Sequence, residues 1–264
     1  MARRDSTQRG PRDLGRFFVE SATAGPAADG SVPRLEGQEV EHALRVLRAQ
    51  PGDLLTGLDG RGHRWPLRVV RAERRDLVLE PAGEPEREPG PGEPGAPLPP
   101  IHVAVALPRS GRLEPMLDRL TQLGVARIEP LRCAWTGPGE RWPRPERLTR
   151  VLREATKQSG RAWLPELAEP AEVERWQPPG GSACAVLHPT AEQPLLSWAR
   201  GLTAAPGDPI CLVIGPEGGF QTQELEALAA SGAAPVRLGP HVLRIETAAE
   251  AAASVLIACL LAPG

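Results

Sequence analysis

The chain has 264 residues and a formal net charge of −2, which allows a sizeable hydrophobic core and argues against binding of nucleic acid through net positive charge alone. It has no Tyr and three Phe, so the core must be mainly aliphatic, and of its 31 basic residues only Lys157 is a lysine. No CxxC spacing connects its cysteines, so we expect buried reduced thiols and no metal site. The cysteines are Cys133, Cys184, Cys211 and Cys259.

The first 15 residues are polar and basic without an apolar segment, which predicts a disordered N-terminus without a signal peptide. The most apolar predicted helix, over residues 248–262, is too short and too rich in Ala to cross a bilayer. We therefore expect a soluble, cytoplasmic protein with no membrane partner.

Residues 16–80 have mainly β signals. Predicted strands over residues 53–58 and 65–70 flank a DGRG turn at residues 59–62, which is a hairpin pattern, and a third strand is predicted over residues 77–79. Between the first strand and the hairpin, residues 38–48 have the spacing of a short one-faced helix. Residues 16–80 are therefore predicted to form a small barrel. The Pro- and Gly-rich residues 81–100 are predicted to be a semi-rigid linker.

From residue 101 onward, predicted strands and helices alternate, which is typical of a mostly parallel sheet with helices on both faces. We expect strands over residues 101–107, 125–131, 183–187, 210–214 and 236–238, and a weak edge strand over 163–167. Helices are expected over residues 113–123, 145–159, 171–176 and 193–200, after a Thr222 cap, and over 248–262 behind a TAAE capping box.

Two late strands end in loops that could hold a ligand. The run ICLVI at residues 210–214 is followed by GPEGGF at 215–220, and the next strand is followed by GPHVLRIE at 239–246. Ligands of open parallel sheets bind beyond the carboxyl ends of the strands. Neither loop has the G-x-G-x-x-G or P-loop pattern, which disfavours a nicotinamide or ATP enzyme. The glycines alone are equally compatible with a tight strand-to-helix turn.

Charge is unevenly distributed along the chain. Residues 105–165 contain twelve basic and six acidic residues, whereas residues 166–264 contain four and eleven. A basic block beside an acidic one is compatible with a polyanionic substrate, although solvated helix faces explain the same counts as well.

The two loop motifs together resemble the signature of the ribosomal RNA small subunit methyltransferase E family, which belongs to the SPOUT class. The matching residues are GPEGG at 215–219 and LGPHVLRIET at 238–247. Further similarities lie at residues 16–18, His42 with 45–48, 123–125, 158–161 and 187–189. The resemblance covers residues 16–261.

This resemblance implies a PUA-like RNA-binding barrel over residues 16–80 and a trefoil-knotted SPOUT methyltransferase domain over 101–264. It also implies S-adenosylmethionine as the methyl donor, N3 of a uridine as the acceptor, and a homodimer. The expected partner is small-subunit ribosomal RNA or the assembled small subunit. A knot is an exception to the rule that chains do not thread loops.

The resemblance also implies roles for particular residues. Arg244 is the expected stabiliser of the uridine anion, and Glu217 or Glu246 could accept the proton, with a structural role favoured for Glu246. Phosphate contacts are expected for Arg16, Arg45, Arg48 and Arg161. The expected cofactor contacts are Leu187, Gly215, Gly218, Gly219, Leu238, Gly239, Val242 and Leu243.

The chain departs from the family pattern at three places. His241 stands where Arg is usual, Gln122 stands where Glu is usual, and the loop after Leu131 is shorter. A non-catalytic RNA-binding relative, or one that acts on another nucleotide, is therefore the alternative. A structural pairing of Arg244 with Glu246 or Glu217 is the alternative to its catalytic role.

Overall fold

The computed structural model describes residues 10–20, 33–35, 37–108, 111–135, 143–203 and 207–262. The chain divides into two compact units, Met1–Glu88 and Pro89–Gly264. Residues 1–9 of the predicted disordered N-terminus lie outside the described residues.

The first unit contains a sheet that curls into a nearly closed barrel. Its strands are β1 (Asp13–Glu20), β2 (Arg34–Leu35), β3 (Leu54–Leu58), β4 (His63–Glu73), β5 (Asp76–Pro81) and β6 (Glu86–Arg87). The order is β2-β1-β3-β4-β5, and the outer strands β2 and β5 approach each other. Alternate residues of β1, β3 and β4 point inward, among them Phe17, Leu55, Trp65 and Leu67, and they form the core of this unit. The predicted hairpin is confirmed as β3 and β4.

The start of this unit differs from the prediction. The first strand begins at Asp13, so the prediction of disorder is wrong for residues 13–15. Arg12, just before the strand, forms an ion pair of 2.7 Å with the buried carboxylate of Asp53 and donates to the carbonyl oxygen of Arg48. Because of this long-range pairing, the regular structure begins at a lower residue number than the local composition indicates.

The predicted helix over residues 38–48 is in fact two short pieces. Helix α1 (Gln38–Glu41) continues into a π-helix (His42–Val46), in which the amide of Leu47 donates to the carbonyl of His42. Ala43 is the buried residue of the π-helix, and Arg48 follows with a positive φ of 55°. The wider π turn is rare and frequently accompanies functional sites.

The predicted linker contributes to the first unit. Pro81 is the last residue of β5, and β6 pairs with His63 and Arg64 of β4. Both are edge positions, where a Pro-rich segment is tolerated.

The second unit is built on a sheet in which every pair of strands is parallel. Its strands are β7 (Ile101–Ala106), β8 (Arg127–Arg132), β9 (Glu166–Leu167), β10 (Ala171–Glu172), β11 (Ala183–Leu187), β12 (Ile210–Ile214) and β13 (Ala234–Val236). The order is β10-β8-β7-β12-β11-β13, and β9 also pairs with β8. Each of the five residues of β12 is buried, as expected for a strand covered on both faces.

Helices of this unit pack against the sheet and each other. They are α2 (Leu113–Gln122), α3 (Pro145–Ser159), α4 (Leu195–Arg200), α5 (Thr222–Ala230) and α6 (Ile245–Leu261). The prediction of a helix over residues 171–176 is wrong. Ala171 and Glu172 pair with β8, and only Val173–Arg175 form one 3₁₀ turn.

Two predicted helix caps are also wrong. Helix α5 begins after Gln221, whose amide donates to Glu224, so Thr222 is already inside the helix. Helix α6 begins at Ile245, which is 2% exposed, and Thr247 therefore lies in its first turn. Burial of Ile245 extends the helix beyond the start that the capping-box pattern indicates.

The prediction of buried reduced thiols is confirmed for Cys133, Cys184 and Cys211, whereas Cys259 is only partly buried. Cys133, Cys184, Cys211 and Cys259 are all free. Burial raises the pKa of the Cys133 and Cys184 thiols to about 12, and that of Cys211 to about 11, so these groups stay protonated. In the described part of the chain, none of the helices has the length and apolar character needed to span a bilayer.

Candidate active site

The order of the parallel strands brings separate loops to one edge of the sheet. Strand β11 lies between β12 and β13, with Val186 beside Val213 and Leu187 beside Val236. The residues after all three strands therefore emerge side by side. We call this the carboxyl edge. The two glycine loops follow β12 and β13, and Leu187 lies at the end of the strand between them.

The loop after β12 is a tight turn that depends on its glycines. The amide of Gly219 donates to the carbonyl of Pro216 over 2.9 Å, and Gly219 has a φ of 77°, which L side chains rarely adopt. A Cβ added at Gly215 would lie 2.7 Å from the ring of Phe220. Gly215 therefore lets the ring fold back onto the end of β12.

Glu217 lies in the middle of this turn. It is exposed and forms no ion pair with another described residue. Its carboxylate is consequently accessible to a ligand at the carboxyl edge, and the alternative Arg244–Glu217 pair is not formed.

The loop after β13 offers unused backbone donors. Both backbone groups of Arg237 are hydrogen-bonded. Its amide donates to the carbonyl of Gln193, and its carbonyl accepts from the amide of Leu195. Beyond Arg237, the amides of six residues, 238, 239 and 241–244, donate to no acceptor among the described residues. Four of the six are predicted cofactor contacts, namely Leu238, Gly239, Val242 and Leu243. A row of free amides is suited to the acceptor atoms of a bound nucleoside.

Arg244 ends this loop as the N-cap of α6, and the amide of Ala248 donates to its carbonyl. Its side chain is exposed and has no ion pair with a described residue. The alternative Arg244–Glu246 pair is also not formed, because Glu246 lies 3.2 Å from Nη1 of Arg112. Arg112 precedes α2, so this ion pair also joins the loop after β7 to the first turn of α6.

A buried carboxylate that the sequence analysis missed connects two of these loops. Glu224, on α5, is 1% exposed and accepts from the amide of Gln221 over 2.6 Å and from that of Ala134 over 2.7 Å. Ala134 belongs to the loop after β8, and Trp135 follows it. A Cβ at Gly218 would lie 3.6 Å from the Trp135 ring, so the two loops are in contact. Only the spacing of Glu224 from Gln221 could have indicated a cap.

In the first unit, arginines line an open groove of about 850 Å³. Arg45 and Arg48, both predicted, line it together with Arg74 and Arg75 from the turn between β4 and β5. Sequence analysis missed the last two, although consecutive arginines in a hairpin turn are a usable signal. Arg16 is exposed on β1 and does not line this groove. The described residues contain no cluster that could hold a metal ion.

Arg161 has a structural position. Its Nη1 donates to the carbonyl oxygens of Thr121 and Val125, each over 2.9 Å, at the C-terminal end of α2. The Thr121 carbonyl also accepts from the amide of Gly124 over 3.0 Å, so the guanidinium is a second donor there, and it connects the end of α2 to the segment that follows α3. Its predicted contact with RNA remains a prediction.

Comparisons with known proteins agree with this arrangement. A family model for an RNA methyltransferase domain matches residues 95–257, and one for an RNA methyltransferase PUA domain matches residues 35–82. The chain is 36% identical to ribosomal RNA small subunit methyltransferase E of Mycobacterium bovis, over 84% of this chain and 85% of that protein.

Solved structures give the same picture. A methyltransferase from Legionella pneumophila, in complex with the bound cofactor SAM, has a TM-score of 0.74 and 27% identity, covering 92% of this chain and 96% of that one. Ribosomal RNA small subunit methyltransferase E from Neisseria gonorrhoeae has a TM-score of 0.75 at 24% identity, covering 92% and 96%, and so shares the fold.

Proposed function

Because the chain belongs to the ribosomal RNA small subunit methyltransferase E family, we propose that it methylates N3 of a uridine in small-subunit ribosomal RNA. The cofactor is S-adenosylmethionine, the ligand bound in the related structure from Legionella pneumophila. The observation that carries the proposal is the convergence of both glycine loops and a free Arg244 at the carboxyl edge.

The residues present fit this cofactor. The free amides of Leu238, Gly239, Val242 and Leu243 can donate to its adenine and its other acceptor atoms. Gly215 and Gly219 keep the opposite loop compact, so its backbone can approach the ligand closely. When bound, S-adenosylmethionine supplies an activated methyl group, and this chain then has to orient and activate the acceptor.

The acceptor must lose its base pair before it can react. N3 of uridine takes part in Watson–Crick pairing, so the base has to be turned out of its helix or come from a single strand. The loops of the carboxyl edge are exposed around Gly218, His241 and Val242, which leaves room for such a base. Holding N3 in line with the methyl group contributes several kcal/mol through orientation alone.

Arg244 is the residue that we propose to stabilise the deprotonated uridine. N3 is a poor nucleophile until its proton leaves, and the resulting anion needs a positive partner. Since Glu246 is occupied by Arg112, the Arg244 guanidinium is available to a ligand. A planar guanidinium can donate two parallel hydrogen bonds to the anion, which an ammonium cannot do.

Glu217 is the proposed proton acceptor. Its carboxylate is exposed in the turn after β12 and is not engaged by a cation of the described chain. Glu246 is held by Arg112 and fits the structural role that the sequence analysis favoured for it. A carboxylate close to the departing proton can contribute roughly 10²–10⁴-fold as a general base.

The groove of the first unit is proposed to hold RNA phosphates. Four arginines line it, namely Arg45, Arg48, Arg74 and Arg75. Glu41 lies 2.6 Å from Arg45, but both side chains are largely exposed, and such a pair exchanges readily for a phosphate contact. Contacts of this kind position the substrate without reading its sequence.

The decisive test is mass spectrometry of small-subunit RNA from a strain that lacks the gene. We expect one N3-methyluridine to disappear, to return with the wild-type gene, and to stay absent with Arg244→Ala. Loss of a different modified nucleotide would support the alternative, a family relative that acts on another nucleotide. The observation that motivates this alternative is His241, which is exposed in the loop after β13 where the family usually has Arg. An unchanged modification pattern would contradict the proposed activity.

A further inference from the structure

Trp135 is the third residue after β8 and is exposed. Its side chain is 62% accessible to solvent, in a chain where aromatic residues make up 3% of the sequence. The other large apolar side chains that are exposed in the described residues are Val or Leu. Because an indole combines a large apolar surface with a polar N–H, Trp is enriched at binding surfaces, and Trp135 is a candidate contact residue.

Residues 133–135, the described start of the loop after β8, have tertiary contacts with the rest of the unit. The preceding amide, of Ala134, donates to the buried carboxylate of Glu224, and Cys133 is 6% exposed in the core. Since β7 lies between β8 and β12, this loop crosses the end of β7 to reach the loop after β12. The indole is thus positioned by tertiary contacts at the carboxyl edge.

One side of the indole contacts the loop after β12, which we call the cofactor loop because it contains Gly215, Gly218 and Gly219, three of the proposed cofactor contacts. A Cβ added to Gly218 would lie 3.6 Å from Cγ and Cδ1 of Trp135 and 3.9 Å from Cδ2. All three atoms belong to the five-membered ring of the indole. Gly218 leaves this ring in contact with the backbone of the loop, while most of the indole surface remains open to solvent.

Charges of both signs lie around this edge. Burial raises the pKa of the Cys133 thiol, and the carboxylates of Glu172, Glu174 and Glu224 lie close enough to raise it further, while exposed arginines lie on α3. Arg147 on α3 lies 2.6 Å from Glu114, in the first turn of α2, which follows directly from the carboxyl edge. Arg144 and Arg150 are exposed on the same part of α3. Nucleic acid combines phosphates with flat apolar bases, so arginines and an exposed indole together fit a single-stranded segment.

We propose that Trp135 stacks on a base of the RNA substrate beside the S-adenosylmethionine site. This inference rests on the proposed function and names a substrate-binding residue for it. Every base has a π face, so the indole holds the strand without selecting its sequence, and Gly218 keeps the stacked base next to the cofactor loop.

The first experiment measures binding in the full-length protein. A fluorescein-labelled, uridine-rich single strand is titrated with wild type, Trp135→Ala, Trp135→Leu and Trp135→Phe. We expect about tenfold weaker binding for the Ala and Leu variants and a loss within about threefold for Phe, because only Phe retains a π face. S-adenosylmethionine affinity, measured by calorimetry, should stay within about threefold in all variants.

The second experiment measures methylation of small subunits purified from a strain that lacks the gene. We expect Trp135→Ala to raise KM for the subunit more than it lowers kcat, with rescue by Trp135→Phe. Three results would overturn the stacking: RNA binding as strong in the Ala variant as in wild type, full activity of the Leu variant, or cofactor affinity that falls in parallel. If the wild-type protein binds RNA in a Trp135-dependent way but does not methylate the subunit, the proposed function is contradicted and the stacking is still supported.

Discussion

Arg244 has a fixed backbone and a free side chain. Its carbonyl accepts the first hydrogen bond of α6, its side chain is exposed, and the neighbouring Glu246 is paired with Arg112. Neither of the two alternative ion pairs, Arg244–Glu246 and Arg244–Glu217, is therefore formed. The charge is available for a ligand, which makes the catalytic proposal testable by substitution.

We expect Arg244→Ala to lower kcat by roughly 10²–10⁴-fold, the scale of a single group that stabilises charge in the transition state. Arg244→Lys should also be impaired, because it cannot donate two parallel hydrogen bonds. Affinity for S-adenosylmethionine should stay within a few-fold of wild type. Single-turnover methylation and calorimetric titration measure the two quantities.

Arg200→Ala is a matched control for Arg244, since Arg200 is an exposed arginine in the last turn of α4. Its turnover should equal that of wild type. Near-normal turnover in Arg244→Ala would remove this residue from the reaction.

Glu224 is a residue whose effect on the site is indirect. In the wild type, the two carboxylate oxygens of Glu224 accept from the amides of Gln221 and Ala134. In Glu224→Gln, one oxygen becomes an NH₂ group, which is a donor, so one of the two backbone amides loses its acceptor. We expect a loss of about 1–3 kcal/mol in the free energy of unfolding. Urea denaturation measures it. Glu226→Gln, at an exposed position of the same helix, should change stability by less than about 0.5 kcal/mol, and an equal loss in both variants would argue against the cap.

At the scale of elements, the turn after β12 shows that its glycines are not equivalent. Gly219 needs a positive φ, Gly215 needs the space that Phe220 fills, and Gly218 needs neither. The three glycines are alike in the sequence motif, whereas the structure distinguishes a dihedral requirement at Gly219 from a steric requirement at Gly215.

Gly215→Ala should displace Phe220, because the new Cβ would lie 2.7 Å from the ring, and should weaken S-adenosylmethionine binding by at least about tenfold. Gly218→Ala is the matched control. Its Cβ meets Trp135 at an ordinary 3.6 Å, so cofactor affinity should fall only slightly. Calorimetry on both folded variants compares them, and equal affinities would contradict the role of the Phe220 contact.

We expect the stability of the start of the first unit to depend on pH through the carboxyl group of Asp53. Burial raises the pKa of this carboxyl, but hydrogen bonds from the Arg12 side chain and from the amides of Gln50 and Arg12 outweigh it, and the pKa ends below its usual 3.8. A lowered pKa stabilises the fold above the unfolded-state value. That contribution is lost as the pH falls through the folded-state pKa.

We expect Asp53→Asn to cost about 1–3 kcal/mol at pH 7, on the scale of charge-assisted hydrogen bonds, and progressively less as the pH falls below 3.8. Amide exchange of β1 and β3 across this pH range measures it. Asp76→Asn removes an exposed partner of Arg71, a pair screened by solvent, and should have little effect on stability at any pH. A loss in Asp53→Asn that does not depend on pH would contradict the ion pair.

At the scale of the whole molecule, α6 and its preceding loop leave apolar surface uncovered. Leu261 is 58% exposed and Val242 is 71% exposed, while the opposite side of α6 is buried through Ala249, Ala252 and Leu256. The resemblance implies a homodimer, and such a face would suit one. The trefoil knot, which the resemblance also implies, remains a prediction.

We therefore expect a dimer in sedimentation velocity at micromolar concentration. Leu261→Asp should shift the equilibrium toward monomer, because it places a charge on the apolar side of α6. Leu196→Asp, at an exposed leucine of α4, should leave the dimer intact. A wild-type monomer would count against the predicted assembly.

Local patterns were sufficient for much of the fold. The hairpin of β3 and β4, the alternation of strands and helices after residue 101 and the positions of both glycine loops could be predicted, because periodicity and turn chemistry act over a few residues. The starts of α5 and α6 and the π-helix were missed. Burial of Ile245 and the Gln221–Glu224 bond decide them, and neither is visible in a local pattern.

The sequence by itself determined that a parallel sheet carries two glycine loops and an arginine, and through its motifs it determined the family. Only the tertiary structure decided which partners these groups have. Glu224 reaches Ala134 across 90 residues, and Arg112 reaches Glu246 across 134. Such pairs depend on the order in which strands join the sheet, and that order follows from packing of the whole core rather than from any local segment.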